Sequence, residues 1–160
     1  MSAGTSSEGP TPGMLEPTAF QGGCLCEDLR YCAEREPLDV GYCHCRICQR
    51  STGSPVLVWA SFPTDAFAYR RGSPAIYRSS SHGQREFCSR CGCQIAYREI
   101  AAPTSVDVNL ASFDDPELLE PRRHIFTESR ICWFDTSDDL PRFPDAGPQE
   151  AGAEGETEDA

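Results

Sequence analysis

The sequence predicts a mainly β domain built of antiparallel sheets, and three observations carry that prediction. Apolar residues gather in short runs or alternate with polar ones, as in Val56-Leu57-Val58-Trp59-Ala60-Ser61-Phe62 and in Val106, Val108 and Leu110, which are interleaved with Asp107, Asn109 and Ala111. Helical periodicity is scarce. Seven of the ten cysteines fall into three tight clusters, Cys24-Leu25-Cys26, Cys43-His44-Cys45-Arg46-Ile47-Cys48 and Cys88-Ser89-Arg90-Cys91, a pattern that staples a fold rather than fills a core.

Along the chain, residues 1–17 are rich in Ser, Gly, Pro and Thr and bury nothing, so they read as a disordered tail. The domain is expected over 18–144, followed by an acidic disordered tail over 145–160. Cys24 with Cys26, and Cys43 with Cys45, suit extended strands, where alternate side chains share a face. A short helix is expected after Cys45, through Cys48 and Gln49 to Thr52, with Gly53 and Pro55 to stop it. The Val56–Phe62 run is a strand ended by Pro63. Further short strands are expected at Phe67–Arg70, Ala75–Arg78, Glu86–Cys88, Gln94–Tyr97 and Ile131–Phe134, with turns at Gly72-Ser73-Pro74 and His82-Gly83. Pro116 near the start of Asp115-Pro116-Glu117-Leu118-Leu119 suits one helical turn.

With 160 residues the chain fits one domain with a real core. Its formal charge of -11 is mainly a property of its ends: residues 1–17 hold two acids and 143–160 hold six, with no base in either, which leaves 18–142 at -3. Lysine is absent, and the fourteen arginines are scattered, so the basic stripe that phosphate backbones demand is missing and nucleic-acid binding is disfavoured. No apolar stretch could span a bilayer and no secretory signal precedes the domain, so a cytoplasmic location is expected. Thiols stay reduced there and are free for metal.

The clusters divide as four plus three. Cys24, Cys26, Cys88 and Cys91 make a closed tetrahedral set, with Gly92 suited to the positive φ of a knuckle turn. More than sixty residues separate the two halves, but loop-closure entropy grows only slowly with length. Cys43, Cys45 and Cys48 make a three-sulfur site. Structural zinc takes four protein ligands, whereas catalytic zinc keeps three and an open position. Two Zn2+ ions per chain are therefore expected, one structural and one catalytic. His44 points away from its neighbours on an extended segment and is not expected to ligate. Cys32, Cys93 and Cys132 fit neither set and are expected to pack as small apolar residues.

These residues resemble a known family, the glutathione-dependent formaldehyde-activating enzymes, also called the CENP-V/GFA domain. The landmarks are Gly22-Gly23-Cys24-Leu25-Cys26, Tyr42-Cys43-His44-Cys45-Arg46-Ile47-Cys48-Gln49-Arg50 and Phe87-Cys88-Ser89-Arg90-Cys91-Gly92, followed by Asp114-Asp115-Pro116, His124-Ile125 and Leu140-Pro141-Arg142-Phe143. Cys93 departs from the family's pattern, which more often has a hydroxyl or small residue there. The resemblance implies a β-tent architecture similar to Mss4-like folds, with one zinc on the first and third clusters and another on the middle one. It also implies a carbon-sulfur lyase that adds glutathione to formaldehyde.

On that reading Cys43, Cys45 and Cys48 carry the catalytic metal, and the partners are a small aldehyde and a thiol such as glutathione. Arg46 and Arg50 can pair with thiol carboxylates or stand solvated at the surface. His124 can carry a proton or serve the structure. A non-catalytic zinc scaffold, or a thiol-redox pair of Cys91 and Cys93, are the rival readings. The oligomeric state is not legible.

Overall fold

The computed structural model describes residues 20–101 and 103–148. The expected N-terminal tail, and the C-terminal tail beyond 148, lie outside the described residues. Ten strands and one α-helix follow in order: β1 (Phe20–Gly23), β2 (Arg30–Ala33), β3 (Asp39–Cys43), α1 (Arg46–Thr52), β4 (Leu57–Pro63), β5 (Phe67–Arg71), β6 (Ala75–Arg78), β7 (Gly83–Phe87), β8 (Gln94–Glu99), β9 (Ser105–Asn109) and β10 (Arg123–Ile125), counted among the described residues. They form a three-stranded sheet, β1-β2-β5, and a seven-stranded sheet, β10-β3-β4-β9-β8-β7-β6. The mainly β class expected from sequence is what the chain adopts. All pairings are antiparallel except β10 with β3, which is parallel.

The register explains why one strand serves two environments. Val40, Ala60, Val108 and Ala96 pair in a row across β3, β4, β9 and β8, so their side chains share one face. That face is dry: all four are at most 1% exposed, and they meet Phe20, Tyr31 and Phe67 of the small sheet to form the core. Aromatic contacts knit the layers, with Phe20 and Phe62 centroids 5.6 Å apart and Tyr31 and Phe67 at 5.2 Å. The next row, Gly41, Trp59 and Asn109, faces the other way. On this outer face Trp59 packs with Cys43 and Cys48 in a second small cluster.

Three expectations need correction. Ile131–Phe134 is a turn, closed by the Phe134 N–H on the Ile131 carbonyl at 3.0 Å, and its apolar side chains find no sheet: Trp133 is 73% exposed. Cys132, in the same turn, is exposed rather than packed. Cys24 and Cys26 lie in the turn that follows β1, not on a strand. The helix is where sequence places it; it ends at Gly53, whose φ of 68° is the left-handed value that glycine adopts without strain. The turn at Pro116–Leu118 is a single 3-10 turn.

Candidate metal centres and the adjoining cleft

The four-sulfur group joins the two sheets. After β1 the chain doubles back: Cys24 N–H bonds the Leu29 carbonyl at 3.1 Å, Glu27 N–H bonds the Cys24 carbonyl at 3.0 Å, and Leu29 N–H reaches Cys24 Sγ at 3.3 Å. The reversal aims both sulfurs the same way while Leu25 is left 86% exposed. Between β7 and β8, Gly92 N–H bonds the Cys88 carbonyl at 2.8 Å and Cys88 N–H bonds the Cys93 carbonyl at 2.9 Å. Gly92 has φ 75° and open space where a Cβ would stand, so conformation alone selects glycine here.

Cys24, Cys26, Cys88 and Cys91 thereby bring their sulfurs within 4.8 Å of one another. Cys24 and Cys26 are 3.6 Å apart, Cys26 and Cys88 3.7 Å. Metal–sulfur bonds of about 2.3 Å in a tetrahedron set sulfurs about 3.8 Å apart. The spacing fits a tetrahedral thiophilic ion.

The three-sulfur group lies on the outer face. Cys43 ends β3, Cys45 is the N-cap of α1, and Cys48 follows one turn later, so strand, cap and helix each supply one sulfur. The Cys48 N–H donates to Cys45 Sγ at 3.3 Å, and Cys43 and Cys48 sulfurs are 3.5 Å apart. All three sulfurs lie within 4.8 Å. Hydrogen bonds from Cys43 and Cys48 push the Cys45 thiol down to about 2, and the same crowding, led by Cys45, pushes Cys43 far up. Three sulfurs at this range cannot all ionise without a cation between them. Each group can hold one metal ion.

A buried network braces the second group from behind. His44 N–H bonds the Ile125 carbonyl at 3.0 Å, while Gln49 Nε2 donates to the carbonyls of His44 at 2.7 Å and Ser129 at 3.1 Å. The His44 ring points away from the sulfurs and places Nε2 2.9 Å from His124 Nδ1; His124 Nε2 lies 3.1 Å from Asp138 Oδ1. The carboxylate accepts, so His124 carries its proton on Nε2 and accepts at Nδ1, and His44 donates from Nε2. Desolvation holds both rings below the usual imidazole range, His44 down to about 4, so both are neutral. Tyr42 stacks on His124 at 4.5 Å.

Alongside α1, the helix that carries Cys48, a cleft of about 590 Å³ lies between that helix and strands β6–β8, lined among others by Ile47, Arg50, Tyr77, Arg85, Gln94 and Gly92 of the four-sulfur knuckle. Its size is that of a small-molecule site. Arg85, only 5% exposed, lies at its base: Nη2 donates to Cys48 Sγ at 3.5 Å, and the guanidinium lies over the Tyr97 ring at 5.4 Å.

Residues 19–129 match the family described as glutathione-dependent formaldehyde-activating enzyme. The chain belongs to this family. A relative from Schizosaccharomyces pombe described as an uncharacterized lyase is 25% identical over 127 residues, covering 74% of this chain and 82% of the relative. A crystal structure of a Rhodobacter sphaeroides protein superposes with a TM-score of 0.51 at 22% identity, covering 63% of this chain and 96% of that one, a likeness of fold alone.

Within this family member the structure brings together both sets of cysteines that sequence grouped. Cys93 packs against the main core, its thiol pushed up by burial, and Cys32 is buried too. Arg46 bonds Gln49 on the surface of α1, and Arg50 is exposed at the cleft. His124 is wholly buried. Sequence reasoning missed Arg85 and Gln49. Gln49 had a signal, being a polar residue one helical step past Cys48, but Arg85 had none: only the register across β7 and β8 places it under the cysteines.

Proposed function

We propose that this protein is a zinc-dependent carbon-sulfur lyase that joins a thiol, glutathione in the first instance, to formaldehyde or another small aldehyde. The observation that carries this reading is a three-sulfur group, one ligand short of the closed four-sulfur set, whose helix and whose neighbour Arg85 both line a cleft. Cys24, Cys26, Cys88 and Cys91 hold the structural ion, and Cys43, Cys45 and Cys48 hold the catalytic one. A zinc ion held by Cys43, Cys45 and Cys48 would favour a thiolate and would polarise an aldehyde oxygen.

The chain's own residues do the rest. The cleft far exceeds formaldehyde and suits a tripeptide-sized thiol. Arg50 offers a guanidinium at the cleft to a thiol carboxylate. The His44–His124–Asp138 chain holds the segment between Cys43 and Cys45 in one orientation. In the reaction a carbon–sulfur bond forms, the carbonyl becomes a hydroxyl, and the proton leaving sulfur ends on oxygen. No helix among the described residues is long and apolar enough to cross a membrane, and a reducing cytoplasmic setting would keep the thiols available.

Cys48→Ser tests the reading. The variant should lose one of two zinc equivalents and its adduct formation should fall to the uncatalysed rate. Full activity with one zinc lost would favour a scaffold whose metals serve stability only.

A further inference from the structure

Besides Arg85, two guanidinium groups largely withdrawn from solvent, buried Arg123 and part-buried Arg98, have carboxylate partners. Arg98 pairs with Glu86 at 2.7 Å, and Arg123 pairs with Asp39. Arg85 is buried more deeply than either, yet among the described residues no carboxylate lies within ion-pair range of it. Asp107 stands in the same cross-strand row, but Tyr97 lies between them. Arg85 Nε and Nη1 are also buried and have no hydrogen-bond partner among the described residues. A charge that cannot be neutralised and is taken out of water needs a counter-charge. Besides the Tyr97 ring, which is neutral, the group that Arg85 touches is Cys48 Sγ.

We propose that Arg85 is the charge-balancing and positioning residue of the three-sulfur centre, its guanidinium acting as the counter-ion to the ligand set Cys43, Cys45 and Cys48. The inference rests on reading that group as a metal centre. Cysteine ligates as thiolate, so three thiolates and a divalent ion keep one net negative charge, which one guanidinium cancels. Without Arg85 that charge would be stranded in an apolar cluster with Trp59, Leu57 and Ile125. The four-sulfur centre would keep two net negative charges and has no buried guanidinium bonded to its sulfurs among the described residues. Two of its four cysteines, Cys26 and Cys91, are part-buried, against one of three, Cys45, at the other centre, so more of that charge is left to solvent. The Nη2 contact also fixes where Cys48 Sγ points, and Arg85 itself lines the cleft.

The test uses the full chain and compares Arg85→Met, Arg85→Gln and Arg85→Lys. Chelator competition gives the affinity of each centre, and cobalt absorption, read against Cys48→Ser, distinguishes the two. Loss of charge in Met and Gln should weaken the three-sulfur centre by about 10–100-fold and leave the four-sulfur centre unchanged. Lys, which keeps the charge, should restore most of the affinity. Wild-type affinity in Met and Gln, or equal loss from both centres, overturns the proposal; if Met fails to fold, the Gln and Lys pair decides alone. Adduct formation is scored separately. Wild-type protein that binds both metals but forms no adduct sinks the catalytic reading and leaves Arg85's role standing.

Discussion

The two cysteine groups use the same donor atom and close-set sulfurs, yet they occupy opposite kinds of ground. Cys24 and Cys88 belong to the core between the sheets, and their group links the β1–β2 turn to the β7–β8 turn. Cys43 and Cys48 belong to a small cluster on the outer face, where they tie one helix to a sheet that already exists. In the first group Cys24 and Cys88 are wrapped in apolar residues and backbone hydrogen bonds, while Cys26 and Cys91 are part-buried. The second is flanked by apolar Trp59 and Leu57, by side chains that hydrogen-bond, His44, His124 and Gln49, and by the charge of Arg85. Identical donor atoms thus stand in different surroundings, and the surroundings can set them different tasks.

The largest expected break in that comparison is Cys88→Ser. It removes a buried ligand from the group that joins the sheets, and the loss should be at least about 5 kcal/mol, comparable with the whole stability of such a domain. Circular dichroism melts should show no cooperative transition, whereas Cys48→Ser should still melt cooperatively. Next is His124→Ala, which empties a fully buried site and leaves the His44 donor without its acceptor. A cost of about 2–4 kcal/mol in urea unfolding is expected, with weaker metal binding at the three-sulfur centre only.

Gly22→Ala probes the other side. A Cβ there would collide with Tyr31 Oη and the Ser112 carbonyl, so about 1–3 kcal/mol should be lost, without change in affinity at the three-sulfur centre. The smallest effect is expected at Asp107, on the outer face opposite Ser61. Desolvation raises its carboxyl to about 6. The unfolded chain therefore releases this proton first, so folding stability falls as pH rises from about 4 to about 6. Asp107→Asn should flatten that stretch of the stability–pH curve and add about 1 kcal/mol at pH 7, the shift being discounted for partial solvent access.

Much of this was readable from the sequence because cysteine spacing survives the loss of three-dimensional context. Residues a few places apart must arrive at a metal together whatever their backbone does, and so the grouping holds even though Cys24 and Cys26 use a turn instead of a strand. The run at Val56–Phe62 and the helix before Gly53 were legible for the same reason: the signal is local. β1, β2 and β10, of four, four and three residues, are too short for periodicity to declare them. Ile131–Phe134 shows the opposite failure, an apolar stretch with no partner strand. Arg85 was hidden because an arginine in sequence looks solvated, and only tertiary pairing carries it under Cys48.

The parallel pairing of β10 with β3 has a consequence for how the protein is made. Its four-sulfur ligands have all left the ribosome once Cys91 emerges, and the small sheet is complete by then. β3, which carries Cys43, still has a bare edge until Arg123–Ile125 has been synthesised. The order of synthesis therefore lets the four-sulfur group come together first, while the three-sulfur group gains its last supporting strand only after β4 to β9 have emerged.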